Sequence, residues 1–280
     1  MPSFDALLPP EMAQRAEDIG IRKATLPTDK MLLLAILAGA YIALGALFSI
    51  VALSGTSSLP YGVSRVLGGL VFCLGLILVV VGGAELFTGN NLIVMAWASR
   101  KVGTRALLRN WLIVYVGNFI GAVGTALLLI LAQHYTFADG RVGETALKIA
   151  LSKLQFGFWQ AVVLGILCNG LVCLAVWLTY SARSTTDKIM AILFPITAFV
   201  AAGFEHSIAN MFFIPYALFI KHFHPDFLLL VSTVGDISAL SWINFLLKNL
   251  VPVTLGNIIG GVGLVALLYW SIYLRASQKL

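Results

Sequence analysis

The amino-acid sequence predicts an all-α polytopic membrane protein with six transmembrane helices in an inverted 3+3 repeat, the second and fifth helices broken. Three observations carry that prediction. Hydrophobic residues make up 60% of the 280 and charged residues only 11%, with a mean hydropathy of +0.96, against roughly 25% charged residues in soluble domains. The polar signature G-x-E-x4-N interrupts apolar sequence twice, as GAELFTGN from Gly83 to Asn90 and as GFEHSIAN from Gly203 to Asn210, 120 positions apart. A second pair follows in the same order, NWLIVYVGNFIGA from Asn110 and NLVPVTLGNIIGG from Asn249, 139 positions apart. A chain whose halves each break an apolar span with the same polar knot is a duplication, and such duplications build one site between their repeats.

Residues 1–30 hold nine charged side chains, from Asp5 to Lys30, and no apolar run, so they predict a cytoplasmic, partly helical N-terminal segment and no signal peptide. Pro9-Pro10 ahead of Glu11, Met12 and Ala13 suit a helix start. At about 20 apolar residues per span, clean spans fall at 31–53, 107–132, 156–180 and 249–274. The stretches 63–99 and 188–220 are too long for one span and too short for two with a turn. Each contains one polar knot, and a helix, a non-helical loop and a second half-helix resolve both. The six-helix domain thus covers 31–275, with repeats at about 31–132 and 156–274, and leaves a cytoplasmic tail at 276–280. Small residues align the first spans of the halves, Ala35, Gly39 and Ala43 against Ala161, Gly165 and Asn169, at an offset of 126.

With both termini in the cytoplasm, the inner side holds Arg15, Arg22, Lys23, Lys30, Arg100, Lys101, Arg105, Arg109, Arg183, Lys188, Arg275 and Lys279. The outer side holds Arg65, Arg141, Lys148, Lys153, Lys221 and Lys248. The excess of cations inside favours that orientation. Three spans per repeat is an odd number, so the second half enters the membrane inverted.

Unwound backbone inside a membrane survives only where protein buries it or it lines a watery cavity. Glu85 and Glu205 have a structural task there, accepting hydrogen bonds from loop N–H groups, with Asn90 and Asn210 helping to start the next half-helix; direct contact with a substrate is the other reading. Thr88 is a neutral donor in the middle of its loop. The half-helices point free N–H groups and the positive dipole end inward, which suits an anion. His206 alone among the four histidines lies in a knot, and ionisable residues at this depth are functional by default, although a hydrogen-bonded core role also fits. Lys153 either draws anions to the outer mouth or is a solvated interfacial cation.

These residues resemble the formate/nitrite transporter family, and within it the bacterial formate channels. The resemblance rests on GAELFTGNN, GFEHSIANMFFIP, NWLIVYVGN and PVTLGNIIGG, and runs from the LLPPEMA region to YWSIYLR. It implies an aquaporin-like fold assembled as a homopentamer in the bacterial inner membrane, one pore per protomer, passing formate and similar small monovalent weak-acid anions. Nitrite and hydrosulfide are the alternatives within the same family. It further implies that Thr88 is the pore-loop threonine, His206 the central histidine, Lys153 the anion-attracting lysine, Asn257 the contact of the histidine region and Asn169 a polar pore residue. Phe72, Leu76, Leu86, Phe87, Val172 and Phe199 then form the apolar constrictions; taken alone, those six read as ordinary core.

Other classes fit poorly. Neutral-solute channels of the aquaporin type carry paired Asn-Pro-Ala loops, and no such tripeptide occurs here. No GxSxG, HExxH or Walker motif is present, so the chain reads as no enzyme, with no cofactor. Cys73, Cys168 and Cys173 lie in apolar stretches without metal spacing. The net charge of +6 reflects topology, and no nucleic-acid patch is present; lipid is the expected surroundings. For passage, a bare carboxylate between apolar constrictions costs several kcal/mol, whereas protonating one at neutral pH costs about 4 kcal/mol. His206 as proton donor, and His206 as hydrogen-bond donor to a passing anion, both remain open on the sequence alone.

Overall fold

The computed structural model describes residues 6–275 apart from 57, 232 and 233. The tail expected at 276–280, with Lys279, and the first five residues of the N-terminal segment lie outside the described residues. All regular structure among the described residues is helical. Helix α1 is Pro9–Ala24 and α2 is Thr28–Leu53, separated at Pro27. Helix α3 is Tyr61–Gly82, after which the chain runs through a loop, a 3-10 turn at Gly89–Ile93 and the short α4, Val94–Ala98. Helix α5 is Thr104–Leu131, α6 is Arg141–Leu154 and α7 is Phe158–Ser181. Helix α8 is Thr185–Ala201, α9 is Ser207–Phe223 and α10 is Pro225–Leu230. The last, α11, runs Trp242–Tyr273 and contains two π-helical stretches, Phe245–Leu250 and Gly260–Leu267.

Five of these helices, α2, α3, α5, α7 and α11, are long and apolar enough to cross a membrane. Helices α8 and α9 have 17 residues each, short of a full span. The expected span limits agree with the helices to within a few residues, except that α11 begins seven residues early. Helix α6, in the segment left between spans, is the element the hydropathy reading misses. Its buried face, Val142, Ala146, Leu147, Ala150, Leu151 and Leu154, has the 3.6-residue period of an amphipathic helix lying at a surface. An ion pair from Lys148 to Glu144 one turn away supports it.

Helix α2 packs on α3 and α5, and α7 packs on α8 and α11; α3 and α8 meet between the two groups. Glycine sets the closest approaches. A Cβ on Gly117 or Gly121 of α5 would meet the carbonyls of Leu32 and Ile36, and one on Gly256 or Gly260 of α11 would meet those of Val162 and Ile166. These contacts pair the first spans at an offset of 130, one helical turn beyond the 126 that the small-residue row suggests. The row repeats every four residues, so it fixes the contact face and leaves the register ambiguous by a turn.

Candidate functional site

Both polar knots are built to one plan. Helix α3 is followed by Gly83 and α8, after Ala202, by Gly203, with φ of 78° and 76°, in the left-handed region where glycine carries no Cβ penalty. The next residues turn back, Ala84 N–H donating to Val79 O at 2.9 Å and Phe204 N–H to Phe199 O at 3.0 Å. The glutamate N–H groups then cross to the first spans, Glu85 to Leu34 O at 3.2 Å and Glu205 to Leu164 O at 3.3 Å.

The remaining loop backbone is held by asparagine side chains. Asn118 donates to Ala35 O at 2.7 Å and Glu85 O at 2.9 Å, and accepts from Phe87 N–H at 2.9 Å. Asn257 does the same, donating to Gly165 O and Glu205 O and accepting from Ser207 N–H, each at 2.9 Å. Both side chains are fully buried. The loop N–H groups therefore go to asparagines and to the first spans, and the expectation that the glutamates accept them is corrected.

Glu85 and Glu205 instead collect side chains from distant helices. Glu85 accepts from Lys23 of α1 at 2.7 Å and from Asn90 at 2.7 Å; Asn90 also donates to Asn110, whose amide donates to Lys23 O. Glu205 accepts from Lys153 of α6 at 2.8 Å and from Asn210 at 2.6 Å; Asn210 also donates to Asn249, whose amide donates to Lys153 O. Asn90 and Asn210 thus bind carboxylates, a correction to the helix-starting role expected of them. The clusters differ in detail: Lys23 also donates to Asn90 Oδ1 at 3.0 Å, whereas the buried Asn210 Oδ1 has no partner, and Asn249 also donates to Glu205 at 3.2 Å, whereas Asn110 donates to the Met31 sulfur.

His206 starts α9. Its Nδ1 accepts the Ala209 backbone N–H at 3.1 Å, and its Nε2 lies 3.0 Å from Thr88 Oγ1. A backbone amide only donates, so Nδ1 carries a lone pair and the neutral ring holds its proton on Nε2, facing Thr88. That bond joins the two loops across the site. Asn169 lies beside it, fully buried, donating to Thr88 O, Asn91 Oδ1 and Asn257 O. Its side chain is committed to holding the first loop.

Two cavities approach this bond from opposite sides. The lower one, about 460 Å³, lies between α1 and the first loop and ends at Leu76 and Leu86. The upper one, about 380 Å³, lies beside α6 and ends at Phe72, Phe199 and His206. The Phe72 and Phe199 rings meet edge to face at 5.7 Å, and Phe199 lies 5.8 Å from the His206 ring. Phe87 lines neither cavity and packs on Trp111 and Tyr115; Val172 is buried and also lines neither.

Lys153 lines the upper cavity over the Phe213 ring, yet its charge is closed against Glu205. On the lower side, α1 presents Arg15, Arg22 and Lys23. A second ion pair from Glu17 to Lys101 fastens α1 further. Burial raises the Glu17 pKa, but hydrogen bonds from Lys101, Ser99 and Gln14 outweigh it and hold the carboxyl below its usual range. Sequence reading did not find Lys23, Asn110 and Asn249 as site residues. The asparagines stand at the heads of the repeated NWLIVYVGN and NLVPVTLGN segments, which was the available signal.

A family profile described as formate/nitrite transporter matches residues 10–271. Formate channel FocA of Escherichia coli (strain K12) is 48% identical over 277 residues, covering 98% of this chain and 97% of that protein. Formate channel FocA of Haemophilus influenzae is 40% identical, covering 91% of each. Among solved structures, a pentameric formate channel with formate bound superposes with a TM-score of 0.84 at 46% identity, over 89% of this chain and 98% of that one. An FNT family ion channel gives 0.78 at 27% identity, over 94% and 98%.

Proposed function

The chain belongs to the formate/nitrite transporter family, and on that premise we propose that it is a channel for formate and related small monovalent anions, and no enzyme. In this reading it forms a homopentamer in the bacterial inner membrane, both termini cytoplasmic, each protomer an aquaporin-like inverted repeat of six spans with the second and fifth broken. The six-helix domain covers 31–275. The observation that carries the proposal is the pair of cavities ending on opposite sides of the His206–Thr88 bond, behind apolar side chains. A bound-formate pentamer among its structural neighbours supports formate as the substrate.

The pathway runs from the upper cavity between Phe72 and Phe199, past His206 and Thr88, and out between Leu86 and Leu76. Apolar constrictions strip water from the anion, and the Nε2–H of His206 and the Thr88 hydroxyl replace part of that hydration. Proton coupling works through geometry. A proton reaches Nδ1 only when the Ala209 N–H has left it, so protonation of His206 and loosening of the second loop are one event. That coupling gives the channel its pH-dependent gate. Asn257, Asn118, Asn169 and the two glutamate clusters hold the loops, and α1 adjusts access to the lower cavity.

The test is anion flux through the purified pentamer in liposomes, for formate, nitrite, hydrosulfide and acetate across a range of pH. Formate flux without added cofactor is expected. Equal exclusion of all four anions at every pH sinks the proposal.

A further inference from the structure

We propose that Arg65, and not Lys153, supplies the net positive charge that gathers anions in the upper cavity. This rests on the anion-channel reading above. Among the described residues, Arg65, Lys153 and Glu205 are the acidic and basic side chains, histidine apart, that line that cavity. Lys153 and Glu205 close on one another at 2.8 Å, with side chains only 14% and 2% exposed. Two opposite charges so close leave a dipole whose field falls away within a few ångströms, so the pair contributes little at the cavity mouth.

Arg65 makes no ion pair among the described residues. Its Nε donates to Ala201 O at 3.1 Å and its Nη2 to Val200 O at 2.7 Å. Those carbonyls are at the C-terminal end of α8, where the helix dipole favours a cation. Gly203, beside them, leaves room: a Cβ there would come within 3.3 Å of Nη2. The carbonyls take two of the five guanidinium donors, and three remain for a guest.

A guanidinium keeps its charge at every working pH, and its flat fork matches a small planar carboxylate. Partial exposure, with two donors already engaged, keeps the hold weak enough for release toward His206. Arg65 is therefore a positioning and concentrating residue of the outer approach, and Lys153 a tether for the second loop.

A bland role also exists, that Arg65 only caps α8, and the test separates the two by salt. Formate flux through reconstituted pentamers is measured at about 10 mM and about 1 M salt, which differ about tenfold in screening length. Arg65→Gln is expected to lower flux about fivefold at low salt, the loss of roughly one screened unit charge, and less than about twofold at high salt. Arg65→Lys is expected to restore most of the low-salt flux. Tyr61→Glu, on the same exposed face one turn earlier, neutralises Arg65 without removing its bonds to α8 and is expected to reproduce the low-salt loss. It keeps the question answerable should Arg65→Gln fail to assemble.

Wild-type salt dependence in Arg65→Gln or in Tyr61→Glu overturns the inference, and so does an equal loss at both salts. A wild-type protein that passes no anion at all overturns the channel reading itself, a result distinct from a conducting wild type with an indifferent Arg65.

Discussion

Replacing His206 by asparagine separates the two bonds that the imidazole makes. Asparagine is a favoured N-cap residue, and its Oδ1 accepts from the Ala209 N–H in place of Nδ1, so the start of α9 survives. Its amide is too short to reach Thr88 across the 3.0 Å contact. The loss is one neutral hydrogen bond, about 1 kcal/mol, and the pentamer is expected to assemble. What disappears is titration. In the wild type, protonating Nδ1 removes the cap, at about 0.5–2 kcal/mol of loop stability; in His206→Asn no proton can do so. Formate flux into proteoliposomes measured across a range of pH is therefore expected to switch in the wild type and to stay within about twofold in the variant, a margin below the fivefold worth of one hydrogen bond. His206→Phe, filling the gap beside Phe72 and Phe199, is expected to close the pore at every pH. A His206→Asn channel with the wild-type pH profile would refute the coupling of cap and proton.

Three further outcomes follow from other parts of the fold. Because the folded Glu17 carboxyl is held below its usual range, its contribution to α1 docking is complete above about pH 5 and is lost as pH falls through that lowered value. Protection factors of α1 amides against hydrogen exchange are thus expected to fall as pH drops through that lowered value in the wild type and to be low throughout in Glu17→Gln. Lys153→Met and Glu205→Gln are each expected to destabilise by about 3–5 kcal/mol, since each strands a buried charge, and the double variant by less than their sum; additive losses in thermal melts of the detergent-solubilised protein would count against a coupled pair. Gly256→Ala drives a methyl into the Val162 carbonyl and is expected to cost about 1–3 kcal/mol, read in the same melts.

Much of the site was legible because its bonds connect residues that the sequence repeats. The 120-residue recurrence of Gly, Glu and Asn returns as two left-handed glycines and two carboxylate clusters, and the 139-residue recurrence returns as Asn110 with Asn249 and Asn118 with Asn257. Local rules failed where a tertiary partner won. Asn90 and Asn210 have good capping chemistry, yet His206 takes the cap of α9, and the amide N–H groups of both asparagines go to nearby buried carboxylates. Lys23 and Lys153 fill matching positions 130 apart, but IRKAT and LSKLQ share no pattern beyond the lysine itself. An amphipathic surface helix is recognised by where its apolar side chains fall, which leaves the identities of their neighbours free.

The two loops hang from the same brackets and differ at the tip. Where the first loop carries Leu86, facing the lower cavity, the second carries His206, facing the upper, 120 positions on. A near-symmetric frame thereby acquires a polarity. On the proposed reading, a proton arriving through the upper cavity would meet an imidazole and one arriving through the lower cavity a hydrocarbon wall, so acidity would be sensed from one face of the membrane only. Exchanging those two side chains is then the smallest edit that would turn the sensor around while leaving every bracket in place.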